Sequence, residues 1–168
     1  MKSEVSLKAR MKEIVVDYFF IVGYLLLLGL ISVLSYSLIF KGMPTFTKLE
    51  SQLVATFCSV VPLVFIFSYL DYQKPSGSYG KRVSGLKVAY GTYFFRYSLL
   101  RNCLKFLPWQ LAHIGVIEGV YTGFTSIASM ILPSVSLLLL VLMLGMVIFR
   151  DDRRHLGDML AKTVVVNQ

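Results

Sequence analysis

Residues 126–149 read SIASMILPSVSLLLLVLMLGMVIF, a run without a single Asp, Glu, Lys or Arg. A helix rises 1.5 Å per residue, so about 20 apolar residues cross the hydrocarbon layer of a bilayer. The run therefore predicts a membrane-spanning helix, with Pro133 as a candidate kink. Directly after it the composition inverts: RDDRRHLGDMLAKTVVVNQ, residues 150–168, carries both signs of charge at high density. That inversion marks a membrane boundary near Phe149, followed by a compact, salt-linked cap.

Working outward, Ile14–Phe40 is a second long apolar run, 27 residues interrupted by Asp17 and a few Ser, Tyr and Gly. A cleaved signal peptide would have an apolar core of about 7–15 residues. This run is longer and further apolar segments follow, so an uncleaved first helix is expected. Leu53–Leu70 supplies 18 uncharged residues around Pro62, and the connecting KGMPTFTKLE is turn-like around Gly42 and Pro44. The third segment, about 97–117, is less decided. Its first half is aromatic and basic, around Arg96, Arg101 and Lys105. It reads either as a spanning helix or as a re-entrant or interfacial one.

The composition agrees with a membrane protein. Of 168 residues 56% are hydrophobic and 15% charged, against about 45–50% and 25% in soluble domains. Lys and Arg exceed Asp and Glu by 17 to 9, a net +8. Cytoplasmic loops collect such positive charge, which chooses the topology. Four crossings with both termini inside place every cation except Lys41 and Lys48 on the cytoplasmic side, 15 of 17. The outer turns, with Lys41, Lys48, Glu50 and Glu118, then sum to zero. The expectation is an all-α membrane protein of the inner or plasma membrane: a four-helix transmembrane bundle with a cytoplasmic loop and a C-terminal cap, spanning about 14–40, 53–70, 97–117 and 126–149. Anionic headgroups account for the positive charge. No nucleic-acid motif accompanies it, so no nucleic-acid partner is expected.

Asp17 is the most informative single residue, because a bare carboxylate in mid-helix costs about 2.5–3.5 kcal/mol to insert. Arg10 precedes it by two helical turns on nearly one face, with Glu13 between them. Asp17 is then either hydrogen-bonded to neighbouring segments or a titratable site in an ion or proton pathway. In the tail, Asp158 is expected to accept local N–H groups or to pair with a cation of the Ser78–Lys87 loop, and His155 to be a solvated imidazole. The loop SGSYGKRVSGLKV lacks the spacing of a phosphate-binding loop. It reads as a short strand or hairpin, its cations meeting headgroups or the tail. Tyr93–Phe95, Trp109 and Tyr121 read as interfacial anchors. Cys58 and Cys103 sit in no CxxC or Cys/His cluster and are expected to be free thiols; no metal or other cofactor is expected. No hydrolytic motif appears, so no enzyme is expected.

Several stretches together resemble the RDD family of small bacterial membrane proteins. RMKEIVVD gives Arg10 and Asp17; YGKRVSGLKV is similar to the family's glycine-lysine-arginine loop and following strand. RNCLKFLPW gives Arg101 and Asn102, and RRHLGDMLAKTVVV gives Asp158, Ala161 and Thr163. The sequence departs from the family at Glu13, where a small residue is usual, and at Lys162, where Gly is common. The literal RDD at Arg150–Asp152 is not the dispersed signature. The resemblance implies one helical membrane domain over 1–168. Its expected polar cluster is Arg10, Asp17 and Asp158 at the cytoplasmic boundary, supported by Glu13, Lys81, Arg82, Arg101 and Arg154. Two functions fit: a non-enzymatic accessory that modulates a membrane-protein partner or assembles with copies of itself, and a small transporter, such as a cation/proton exchanger, working through Asp17.

Overall fold

The computed structural model describes residues 5–168. Its element order is α1 (Leu7–Leu38), α2 (Lys48–Ala55), a π-helical turn (Thr56–Val60), α3 (Val61–Tyr72), α4 (Tyr79–Val83), β1 (Leu86–Tyr90), α5 (Phe95–Thr122), α6 (Ile127–Phe149), α7 (Leu156–Leu160) and β2 (Thr163–Asn167).

The described residues are 72% helical, and among them three helices are long and apolar enough to cross a membrane: Leu7–Leu38, Lys48–Tyr72 and Ile127–Phe149. Their surfaces are inverted relative to a soluble protein. Phe19, Leu26, Leu138 and Phe149 are 68, 70, 68 and 86% exposed, the distribution expected where lipid is the solvent. α5 is a fourth long helix of 28 residues, unbroken through Pro108. It is one continuous helix over the segment 97–117 but does not belong to the apolar set of three.

Helix ends follow local chemistry. Ser6 caps α1 through the Ala9 N–H at 3.2 Å, and Thr47 with Glu50 forms a capping box on α2. These caps satisfy orphan N–H groups. α1 starts seven residues before the apolar run, so Arg10 and Glu13 are already helical. The π-helical turn precedes Pro62, which has no N–H to offer the carbonyl four residues back. That carbonyl, Cys58, instead accepts the Tyr24 hydroxyl at 2.5 Å.

The all-α expectation fails in one place. β1 and β2 pair antiparallel, Leu86 against Asn167 through Tyr90 against Thr163. The loop is therefore not a hairpin: α4 occupies its first half, and its strand pairs with the tail. A small core of Leu86, Val165 and Val5 lies under this sheet. The main core lies within the bundle, where Ile21, Val60, Leu63, Val64, Phe67 and Phe106 meet. α5 and α6 cross closely at Gly115, where a Cβ would fall 2.5 Å from Pro133 Cδ.

Candidate functional site: a closed ring of buried charge

At one end of the bundle six charged side chains from five helices alternate in sign and close on themselves. Asp71 at the end of α3 takes the Arg101 guanidinium of α5, and Arg101 Nε reaches Asp158 of α7 at 2.5 Å. Asp158 Oδ2 lies 3.7 Å from Arg10 of α1, which holds Glu13 at 2.5 Å. Glu13 pairs with Lys81 of α4 at 3.0 Å, and Lys81 returns to Asp71 at 3.2 Å. All six are buried.

Asp17 and Lys105 are appended to this ring. Lys105 reaches Asp17 Oδ2 at 3.3 Å. The Ser78 hydroxyl donates to the same oxygen at 2.8 Å, and the Gly80 N–H donates to Oδ1 at 2.9 Å. Ser78 also accepts from Lys81 Nζ at 3.1 Å, which joins the pair to the ring. Four cations (Arg10, Lys81, Arg101, Lys105) thus face four acids (Glu13, Asp17, Asp71, Asp158), and the set is neutral. Neutrality is what makes burial tolerable, since an unpaired buried charge costs several kcal/mol.

Hydrogen bonds fill several of the remaining valences, although Arg10 Nε and Asn102 Oδ1 are buried without a partner among the described residues. Asp71 accepts the Ser78 N–H at 2.9 Å and the Asn102 amide at 3.3 Å. Asp158 accepts Thr163 Oγ1 at 3.2 Å and the His155 N–H at 3.4 Å. Outside the helices that span, the charge states follow from these contacts. Burial would raise the Asp158 carboxyl, but Arg101 outweighs it and holds the group well below the ordinary carboxylate range. Burial would lower Lys81, but Asp71 and Glu13 outweigh it and raise it.

The structure brings Arg10, Glu13, Asp17, Lys81, Arg101 and Asp158 together. Two expected members stand apart. Arg82 donates to the Gly77 carbonyl at 2.9 Å, and the backbone N–H of Arg154 meets Asp152 at 3.3 Å. Both side chains are only half-buried, and neither joins the ring's ion pairs. Asp158 pairs with Arg10 and Arg101 rather than with a loop cation, because Lys81 is committed to Glu13 and Asp71. His155 is buried, not solvated: it caps α7 by accepting the Gly157 N–H at Nδ1, 3.0 Å. The Trp109 indole donates to His113 Nε2 at 2.9 Å, one turn along α5. The literal Arg150–Asp152 pair is a separate bidentate contact, both bonds 2.9 Å.

The reading of the residues did not single out Asp71, Lys105, Ser78 or Asn102 as site members. Asp71 had a legible signal, an acid terminating an apolar run as Asp17 begins one. Ser78 had none, since its role depends on the fold of the loop. Gly80 is required by geometry: a Cβ there would fall 2.4 Å from the Glu13 carbonyl and 2.6 Å from Asp17 Oδ1. Gly157 is required likewise, its Cβ meeting the Arg101 carbonyl at 2.7 Å. Among the described residues no group of three or more His, Cys, Asp or Glu is arranged to hold a metal ion.

Comparison with known families gives one result: the sequence profile of the RDD family matches residues 6–162. No curated protein and no solved structure matches the chain.

Proposed function

Because the chain belongs to the RDD family, we propose that it is a four-span, non-enzymatic accessory protein of the cell membrane that binds and modulates a membrane partner. In this reading α1, α2–α3, α5 and α6 each cross, and the ring end and both termini face the cytoplasm. Support for a crossing by α5 comes from where its charges sit. Arg96, Arg101 and Lys105 lie in its first turns at the ring end, while Glu118 pairs with Lys48 at the other end, 3.1 Å. Between them Phe106–Ile117 is uncharged. The positive-inside rule supports the orientation.

The observation that carries the accessory reading is the saturation of Asp17. It is 3% exposed, and its two oxygens already take Ser78, Gly80 and Lys105. A transported cation would have to displace those donors. Reconstitution in proteoliposomes tests this, with proton and sodium flux measured for the parent, Asp17→Asn and Asp17→Leu beside their thermal midpoints in detergent. The expected result is no flux that depends on Asp17, a lower midpoint for Asn and a lower one still for Leu. The loss is on the order of 1–3 kcal/mol, because donors are left unsatisfied. Flux abolished by Asp17→Asn at an unchanged or higher midpoint would favour transport and end this reading.

A further inference from the structure

The chain's excess charge is displayed on one surface. The ring and its appended pair hold four cations and four acids, and the far-end turns hold Lys41, Lys48, Glu50 and Glu118; both sums are zero. Lys2 and Glu4, outside the described residues, cancel. That leaves ten cations against Asp151 and Asp152 at the ring end, the whole net charge of +8.

Two of those ten differ from the rest. Lys74 and Arg96 are exposed, and among the described residues neither pairs with a carboxylate. Each is held over aromatic faces instead. Lys74 Nζ lies 5.9 Å from the Tyr93 ring centre, and Arg96 Cζ lies 5.2 Å from Phe94 and 5.0 Å from Tyr97. The platform is itself fixed. Tyr93 stacks on Tyr72 at 4.7 Å, Tyr90 meets Tyr93 edge-on at 5.5 Å, and the Tyr90 hydroxyl donates to the Asp71 carbonyl at 2.9 Å. Apart from one bond, Arg96 Nη2 donating to the Tyr97 hydroxyl at 3.4 Å, these contacts leave the cations' charge and N–H donors open to an anion. Tyr93 and Phe94 remain 43 and 52% exposed where α3 ends and α5 begins, at the level where aromatic rings meet lipid headgroups.

We infer that Lys74, Arg96 and the Tyr93–Phe94 platform form a headgroup site for an anionic phospholipid in the leaflet at the ring end. The cations bind the phosphate, and the rings lie beside the glycerol backbone. The site uses no atom of Asp17, so it stands or falls separately from the accessory reading.

The test uses the full chain in nanodiscs, with retained lipid counted by native mass spectrometry for phosphatidylglycerol against phosphatidylcholine of the same acyl chains. Phosphatidylglycerol should be retained preferentially. Lys74→Gln and Arg96→Gln should each weaken retention about fivefold, the factor expected for one cation at an anionic surface, with unchanged thermal midpoints in phosphatidylcholine. Lys41→Gln, at the far end, should have no effect. Equal retention of the two lipids overturns the site even if a variant proves unstable. A loss from Lys41→Gln as large as from Lys74→Gln overturns it too, because the attraction would then be diffuse. So does full displacement by soluble glycerol phosphate, which would mean that the acyl-linked lipid is not what is recognised.

Discussion

His155 shows how one side chain couples the cap to pH. Its Nδ1 accepts the Gly157 N–H, so the ring proton sits on Nε2, facing Asp158 Oδ2 at 3.3 Å. Burial dominates and lowers its pKa from 6.5 to about 4; Asp158 opposes this, while Arg101, Arg10 and Lys105 reinforce it. The folded state therefore takes up this proton less readily than the unfolded one. The neutral ring's contribution is complete above pH 6.5 and is lost as pH falls from there to about 4. Thermal midpoints across this window should fall in the parent and fall less in His155→Gln. Identical pH profiles would show that His155 is not the titrating group. The Asp158 carboxyl, held lower still, titrates below this window.

Among the elements, α4 is the least legible in the sequence and the most consequential for the site. Five residues, Tyr79–Val83, deliver Lys81 to the ring and the Gly80 N–H to Asp17. They can do so only because Gly80 lets the backbone of α4 touch α1. Gly80→Ala forces a Cβ to within 2.4 Å of the Glu13 carbonyl, and overpacking of this kind costs about 1–3 kcal/mol. Unfolding in detergent should register that loss, whereas Gly23→Ala on α1, with no atom within 4 Å, should change little. Equal effects would mean that the α1–α4 contact is not tight in solution. The apolar spans were readable because twenty uncharged residues have few fates. The strand pair was not, because the alternation in LKVAY carries no information about which distant segment will meet it.

On the scale of the whole molecule, the ring gathers residues of α1, α3, α4, α5 and α7 at one end of the bundle, while Lys48 and Glu118 pair at the opposite end of α5. The proposed orientation makes a definite prediction. With Cys58 and Cys103, both free and exposed, replaced by Ser, single cysteines placed at Gln168 and Lys87 should react from the cytoplasmic side. Cysteines at Gly42 and Gly123 should react from the opposite side. A Gln168 cysteine labelled from outside while the Lys87 cysteine labels from the cytoplasmic side would require an odd number of crossings between them and would remove α5 from the membrane.

The sequence by itself determined that this is a membrane chain, where its apolar helices lie, and that Arg10, Asp17 and Asp158 sit at their charged ends. Those facts follow from composition and from the cost of placing charge in hydrocarbon, which act on each segment separately. Pairing is a different kind of fact. That Arg101 bridges Asp71 and Asp158, that Lys81 is buried while Arg82 is not, and that β1 finds β2 were decided only in the tertiary structure. Each depends on segments many residues apart arriving at one place, and a buried charge settles with whichever opposite charge the packing brings within reach.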